Sequence, residues 1–572
     1  MSNRIVLRVQ DYSFCYIDEK IVLDNLTFTA FEGECIAIAG PSPSGKSTLA
    51  MSLNGLIPNF IKGKTKGEIQ ACGLDVKNHP VYELSQKVGL VLQDPDTQLI
   101  EMRLEDEIAL SMENLNVSRE VIEKRLESVL ELTDIRHLKG RNPLFFSGGE
   151  KQRVAIASIL TLNPSIIVFD EPINDIDPIG REYVLALIRE LNRKQNSTII
   201  FLDRRLDIIL NLAHRVIILN NGKIEMNGGA REVLSEAELL YRLGVKLPQV
   251  TTLCYQISKN MGVDDPVLPI NVDEAVDILK NSVNEYRGVM IKPNSKKSKV
   301  VEVREVTFFY EQGGIQALSN VNLDIYEGEI IAILGQNGSG KTTLIKHFNG
   351  LFKPHSGHVK IFGKDTKKMK VADLSKEVGF LFQNPSLQIS CETVFDEIAF
   401  GLRNLMIPLP IIDQRVKQVA DIFDLTEKLL TSPDDLSLGE KQRVVIASIV
   451  AMDNKIIVLD EPTKALDDKG VRSFIELMIK LNAMGKTLVF VTHDMEFAAE
   501  FATRCLVMDA GKIVMDGVPR EVFSRVDELG SLHLKLPEVS LLSYRLSLPI
   551  YLTPREFLSN VSLKKNVQRL LR

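Results

Sequence analysis

The chain has 572 residues, 45% hydrophobic and 25% charged, and is too long for one hydrophobic core, since single cores stop growing at about 250–300 residues. The composition is that of a globular protein and excludes a disordered or fibrous one. A formal charge of −6 and a pI of about 5.9 exclude the broad basic footprint of a dedicated nucleic-acid binder.

The opening segment, MSNRIVLRVQDYSF, lacks the apolar stretch of a signal peptide, and no apolar run reaches the roughly 18 residues that span a bilayer. A cytosolic chain is expected. Cys15, Cys35, Cys72, Cys254, Cys391 and Cys505 form no CxxC or Cys/His cluster, so they read as reduced core thiols.

The first strand-like run of note, ECIAIAG, leads into Gly40-Pro-Ser-Pro43-Ser44-Gly45-Lys46-Ser47-Thr48. VGLVLQDPDTQ follows with Gln93 and Gln98, then the helical pattern REVIEKRLESVLELTDI, then Phe146-Ser147-Gly148-Gly149-Glu150. SIIVFDEP ends in Asp170 and Glu171, and STIIFL leads to Arg204. These short apolar runs without alternation suit a sheet covered on both faces, so each half reads as a doubly wound α/β fold.

Nearly all of this returns. Gln93 recurs as Gln383 and Ser147 as Ser437, both 290 positions on, which marks an internal duplication. EIIAIL leads into Gly335-Gln-Asn337-Gly338-Ser339-Gly340-Lys341-Thr342-Thr343, which fits GxxxxGK[ST] between a strand and a helix. Glycines let backbone N–H groups and the helix N-terminus face phosphate oxygens, Lys341 adds a point charge, and Thr342 can ligate Mg2+. The first loop keeps Lys46 and Ser47 but has Pro43 in place of Gly338. Proline has no N–H and a fixed φ, so a charge-assisted bond worth roughly 1.5–3 kcal/mol would be missing there.

Asp170-Glu171 and Asp460-Glu461 are paired carboxylates at strand ends, suited to holding Mg2+ with the aspartate and orienting an attacking water with the glutamate. The tails LGVKLPQVTTLCYQI and LHLKLPEVSLLSYRL also correspond. We therefore divide the chain into a first cassette at 4–235, its extension at 236–292, a linker at 293–299, a second cassette at 300–525 and its extension at 526–572.

With these motifs in place, FSGGE and Leu436-Ser437-Leu438-Gly439-Glu440 resemble the signature sequence of ATP-binding cassette (ABC) ATPases. The resemblance covers both halves and implies two phosphate-loop cassettes, each a RecA-like core with a helical signature subdomain. It further implies that ATP lies between the phosphate loop of one cassette and the signature helix of the other. Tyr16 and Tyr310 resemble the aromatic that stacks on adenine, Gln93 and Gln383 the glutamine that touches Mg2+, Asp177 and Asp467 the loop aspartate at the dimer interface, and His493 the switch histidine. Arg204 stands at the position of His493, and the two are not interchangeable.

Under that pairing Pro43, Arg204 and Leu438 all meet in the site of Lys46, Ser47, Asp170 and Glu171, whereas Lys341, Thr342, Asp460, Glu461 and His493 pair with an intact FSGGE. The expectation is unequal sites, with Glu461 and His493 running hydrolysis. The QDPDTQ and QNPSLQ segments, with Gln98 and Gln388, and the LP[QE]V tails resemble the energy-coupling factor branch, which includes cobalt-type importers. That implies a membrane-embedded T component, a separate capture subunit for a vitamin or metal ion, and a peripheral place on the cytoplasmic face of the membrane. Alternatives are a tandem cassette acting on ribosomes or DNA, a fused-cassette sugar importer ATPase, and an inactive scaffold.

Overall fold

The computed structural model describes residues 4–17, 20–41, 43–173, 176, 178–264, 266–287, 298–310, 314–464, 466, 468–564 and 566–571. The chain divides into two compact units, Met1–Val283 with Leu563–Arg572, and Asn284–Ser562. Of the linker, residues 293–297 lie outside the described set, and Lys299 already begins a strand.

In the first unit a six-stranded sheet runs in the order Lys223–Gly228, Arg215–Asn220, Cys35–Ala39, Thr198–Asp203, Ile166–Asp170, Val88–Val91. All neighbours pair in parallel except the first two. Every residue of Cys35–Ala39, Ile166–Asp170 and Thr198–Asp203 is buried, as unbroken apolar strands covered on both faces should be. The second unit repeats this with Val378–Leu381, Ile456–Asp460, Thr487–Val491, Ile330–Gly335, Arg504–Asp509 and Lys512–Gly517.

Each unit also has a four-stranded antiparallel sheet that the doubly wound reading does not include. In the first it runs Ile21–Phe31, Ile5–Tyr16, Gly63–Ala71, Leu74–Asp75. Its inward residues Leu7, Val9, Leu23, Leu26 and Phe28 share a core with Ile36, Leu49 and Leu53. The alternation of buried and exposed positions in these strands is that of a sheet with one dry face. A separate helical core lies among Leu104–Asn114, Arg119–Leu132 and Gly148–Leu160. Val394–Asn404, Leu409–Ile422 and Leu438–Ala451 take its place in the second unit.

The extensions exchange segments. Val567 and Leu571 are buried in the first unit, where Leu571 O accepts from Val267 N at 2.7 Å and Gln568 Nε2 donates to Met261 O at 2.7 Å. Reciprocally, Arg287 N donates to Asn560 O at 2.9 Å, and the Tyr551 hydroxyl to Arg287 O at 2.9 Å, within the second. Of the six cysteines, Cys35, Cys254 and Cys505 are buried, but Cys15, Cys72 and Cys391 are only half-buried, which corrects the reading of all six as core thiols. No described helix is long and apolar enough to cross a membrane.

Candidate active site

Cys35–Ala39 runs into the Gly40 loop, and the helix Lys46–Asn54 starts directly after it. A Cβ at Gly40 would overlap the Leu219 carbonyl, and one at Gly335 the Met508 carbonyl, so the loop passes the next strand at a distance only glycine allows. The buried Lys46 ammonium donates to Gly40 O at 2.9 Å, Pro41 O at 3.0 Å and Ser44 Oγ at 3.2 Å. Lys341 donates to Gly335 O at 2.9 Å and Gln336 O at 2.6 Å. Burial lowers the pKa of Lys46, while Glu171 beside it pulls the value back up.

The two loops differ in backbone. Gly338 has a φ of +79°, a conformation closed to the Pro43 that replaces it. They also differ in anchorage: Gln336 Nε2 donates to Leu532 O at 2.6 Å, at the end of the extension helix Val526–Ser531, whereas Pro41 has no side-chain donor.

At the strand ends, Asp170 and Asp460 are buried, and burial pushes both up from 3.8 to about 6, with the Ser47 and Thr342 hydroxyls pulling the other way. Thr342 Oγ1 donates to Asp460 Oδ1 at 3.2 Å. Asp170 Oδ1 is buried with no hydrogen-bond partner among the described residues. A hydroxyl and a carboxylate oxygen of this kind fit a hard divalent cation that takes its remaining ligands from water and phosphate. Glu171 and Glu461 have φ of +47° and +50°, a strained turn for a residue with a side chain. Glu171 N→Leu202 O at 2.8 Å and Glu461 N→Val491 O at 2.9 Å hold it in both units.

At this point the copies part. His493 Nδ1 lies 3.0 Å from Glu461 Oε1. In the first unit Arg204 Nε lies 3.1 Å from Glu171 Oε2, and Lys46 Nζ lies 4.0 Å from Glu171 Oε1. The sequence reading overlooked Asp203. It is fully buried, and burial followed by the Glu171 charge pushes it up to about 7. Setting LDRR against VTHD shows it facing Thr492, the one signal that could have found it.

The Tyr16 hydroxyl lies 3.1 Å from Thr48 Oγ1, and that of Tyr310 3.0 Å from Thr343 Oγ1. Phe14 and Phe308 pack edge-on to these rings. Ser147 and Ser437 cap the helices Gly148–Leu160 and Leu438–Ala451, each in a capping box with Glu150 or Glu440, which leaves a helix N-terminus with donors for an anion. A Cβ at Gly149 would lie 3.2 Å from Ile176 Cγ2, and one at Gly439 3.2 Å from Leu466 Cδ2. Leu438, in place of Gly148, is 44% exposed.

Gln93 and Gln383 are exposed. Gln98 is pinned instead: its Oε1 accepts from Leu92 N at 2.8 Å and its Nε2 donates to Leu90 O at 3.1 Å, and Gln388 holds Phe382 N and Phe380 O in the same way. Asp177 and Asp467 lie outside the described residues.

A glycine loop presenting lysine and hydroxyl, opposite a strand-end Asp–Glu pair, defines a phosphate-loop ATPase fold, here in duplicate. The sequence pattern of the ABC transporter family matches residues 23–174 and 318–464. A candidate ABC transporter ATP-binding protein of Caldanaerobacter subterraneus subsp. tengcongensis is 40% identical over 94% of this chain and 96% of its own. One from Methanosarcina mazei is 36% identical over 92% and 91%. Among solved structures, cbiO1 of Clostridium perfringens, described as part of the ABC transporter complex cbiONQ, is 31% identical over 43% of this chain and 100% of its own, with a TM-score of 0.39. The chain belongs to the ABC transporter family, and is a tandem ATP-binding, ATP-hydrolysing cassette protein within it.

Proposed function

We propose that this ATPase is the motor of an importer of the energy-coupling factor type, working through a T-type membrane subunit and a separate subunit that captures a vitamin or metal ion. The cassettes are 4–235 and 300–525, and the chain sits peripherally on the cytoplasmic face of the membrane. The pinned Gln98 and Gln388 support this reading, because the second glutamine of each resembling segment fixes the loop that carries Gln93 or Gln383. A cleft of roughly 370 Å3 beside Gln98, lined by Leu56, Tyr82, Leu92, Leu115 and Ile159, offers an apolar place for a membrane partner to dock.

In mechanism, the loops that open at Gly40 and Gly335 cradle phosphates, and Lys46 and Lys341 leave the carbonyls of Gly40 and Pro41, and of Gly335 and Gln336, to meet the charge. Tyr16 and Tyr310 take the base. Ser47, Asp170 and Gln93, and Thr342, Asp460 and Gln383, would hold Mg2+, which when bound neutralises phosphate charge. The resemblance pairs the Lys46 loop with Ser437 and Gly439, and the Lys341 loop with Ser147, Gly148 and Gly149. Glu461 draws the proton of the attacking water and His493 orients both. The observation that carries the division of labour is that Glu461 faces His493 while Glu171 is held by Arg204. Hydrolysis is thus assigned to the second site and nucleotide retention to the first.

The test is to purify the tagged chain from detergent-solubilised membranes. Co-purification of an apolar subunit that raises Mg2+-dependent ATPase activity supports the importer reading. Sedimentation with ribosomes and no membrane subunit overturns it.

A further inference from the structure

The second phosphate loop is gathered at one peptide. The Gln336 carbonyl accepts from the Lys341 ammonium at 2.6 Å and from Ser339 N at 3.2 Å, so the cation of the loop and its turn meet on one oxygen. Around that peptide the backbone has much freedom to lose. Gly335, Gly338 and Gly340 have φ of +147°, +79° and +98°, and glycine gives up more conformational entropy on ordering than any other residue. Closing such a loop on an anion is costly unless something else already fixes it.

The half-buried Gln336 side chain supplies a fixture. Its Nε2 donates to Leu532 O at 2.6 Å. Leu532 caps the C-terminus of Val526–Ser531, where carbonyls lack intrahelical donors and carry the negative end of the helix, so an amide donor is well placed there. This acceptor does not follow the loop: Leu529 and Leu534 are buried in one core with Leu459 and Phe490, Leu532 packs against that core, and Leu532 N donates to Glu528 O at 3.1 Å. In the first unit the corresponding residues are Pro41 and Leu243. Pro41 has no donor to offer its extension, but its ring fixes φ. One loop is restrained by a ring where the other is restrained by a side-chain bond.

We propose that Gln336 is a positioning residue of the second site, preorganising the Lys341 loop for phosphate by fastening its peptide to the C-terminal extension at Leu532, the task that the Pro41 ring performs in the first loop. The extension is thereby a working part of the nucleotide site of its own cassette. The inference rests on the Lys341 loop binding nucleotide.

The experiment measures affinity for a non-hydrolysable ATP analogue with Mg2+ at pH 8 in the full chain carrying Lys46→Ala, so that binding reports the Lys341 loop. Gln336→Met keeps the length of the side chain and removes its donor, and is expected to weaken binding about fivefold, in keeping with the loss of one hydrogen bond. Gln336→Pro also lacks the donor but restores the ring of the first copy, and should bind within about twofold of the parent. In the chain carrying Lys341→Ala, where binding reports the Lys46 loop, Gln336→Met should change nothing. Parent-like binding in Gln336→Met, an equal loss in Gln336→Pro, or the same loss at the Lys46 loop overturns the inference. Should Gln336→Pro not fold, Gln336→His, which restores a neutral donor, takes its place against the same outcomes. Binding that survives Lys46→Ala and Lys341→Ala together would instead sink the nucleotide-site reading on which the inference stands.

Discussion

Replacing Glu461 and Glu171 by glutamine, one at a time, separates the two sites. Glu171 Oε2 lies 3.1 Å from Arg204 Nε and its other oxygen 4.0 Å from Lys46 Nζ. With an effective dielectric of about 20, these distances correspond to gross attractions of about 5 and about 4 kcal/mol. A carboxylate that turns to an attacking water must give up part of this, and a sacrifice of about 3 kcal/mol slows the step by roughly 150-fold. Glu461 has His493 instead, at 3.0 Å. Steady-state ATPase of the full chain should therefore fall at least about 100-fold in Glu461→Gln, as expected for a lost general base, and no more than about threefold in Glu171→Gln. Equal losses would refute the division of labour and with it the role given to Arg204.

Gly338→Pro imposes a ring on a φ of +79° and should weaken ATP binding at the second site by at least about tenfold, read from two-site binding isotherms; Pro43→Gly should tighten the first. Asp460 is raised from 3.8 to about 6 by burial, so its contribution is present below pH 3.8 and is lost as pH rises through about 6, a change of order 3 kcal/mol. Asp460→Asn, compared with the parent by denaturant unfolding without divalent cation, should be relatively more stable at pH 7.5 than at pH 4.5. An equal difference at both pH values would count against the burial argument. Gln98→Ala strips Leu92 N and Leu90 O of their partner, each worth roughly 1 kcal/mol, and should lower the ATPase stimulation given by the membrane subunit more than basal ATPase.

Much of this was legible from residue order, because the pieces are local. A glycine loop between strand and helix, a strand ending in Asp-Glu, and a serine three residues before a glutamate each declare their geometry within ten residues. What could not be read depends on burial and pairing across distance. Asp203 sits in an ordinary-looking strand end, and only its enclosure and its spare oxygen make it unusual. The antiparallel sheets were missed because Ile5–Tyr16 and Ile21–Phe31 alternate rather than run apolar. The return of Leu563–Leu571 to the first unit leaves no pattern in its own sequence.

Under the proposed division of labour the first site is rebuilt rather than decayed. Its Glu171 keeps a backbone φ of +47°, within a few degrees of the +50° at Glu461, a conformation that costs of order 1–3 kcal/mol. A glutamate without a task has no reason to stay in that turn. Asp170 stays as buried and as raised as Asp460, and Lys46 as enclosed as Lys341. The lysine and the aspartate of the phosphate-facing frame are therefore kept, and the differences fall on the loop backbone at Pro43 and on the group that touches the glutamate. Arg204 is longer and donor-only, and it engages Glu171 directly. On the proposed division of labour, a site that keeps its lysine, its aspartate and its strained glutamate, and spends that glutamate on an arginine, would hold ATP rather than cut it.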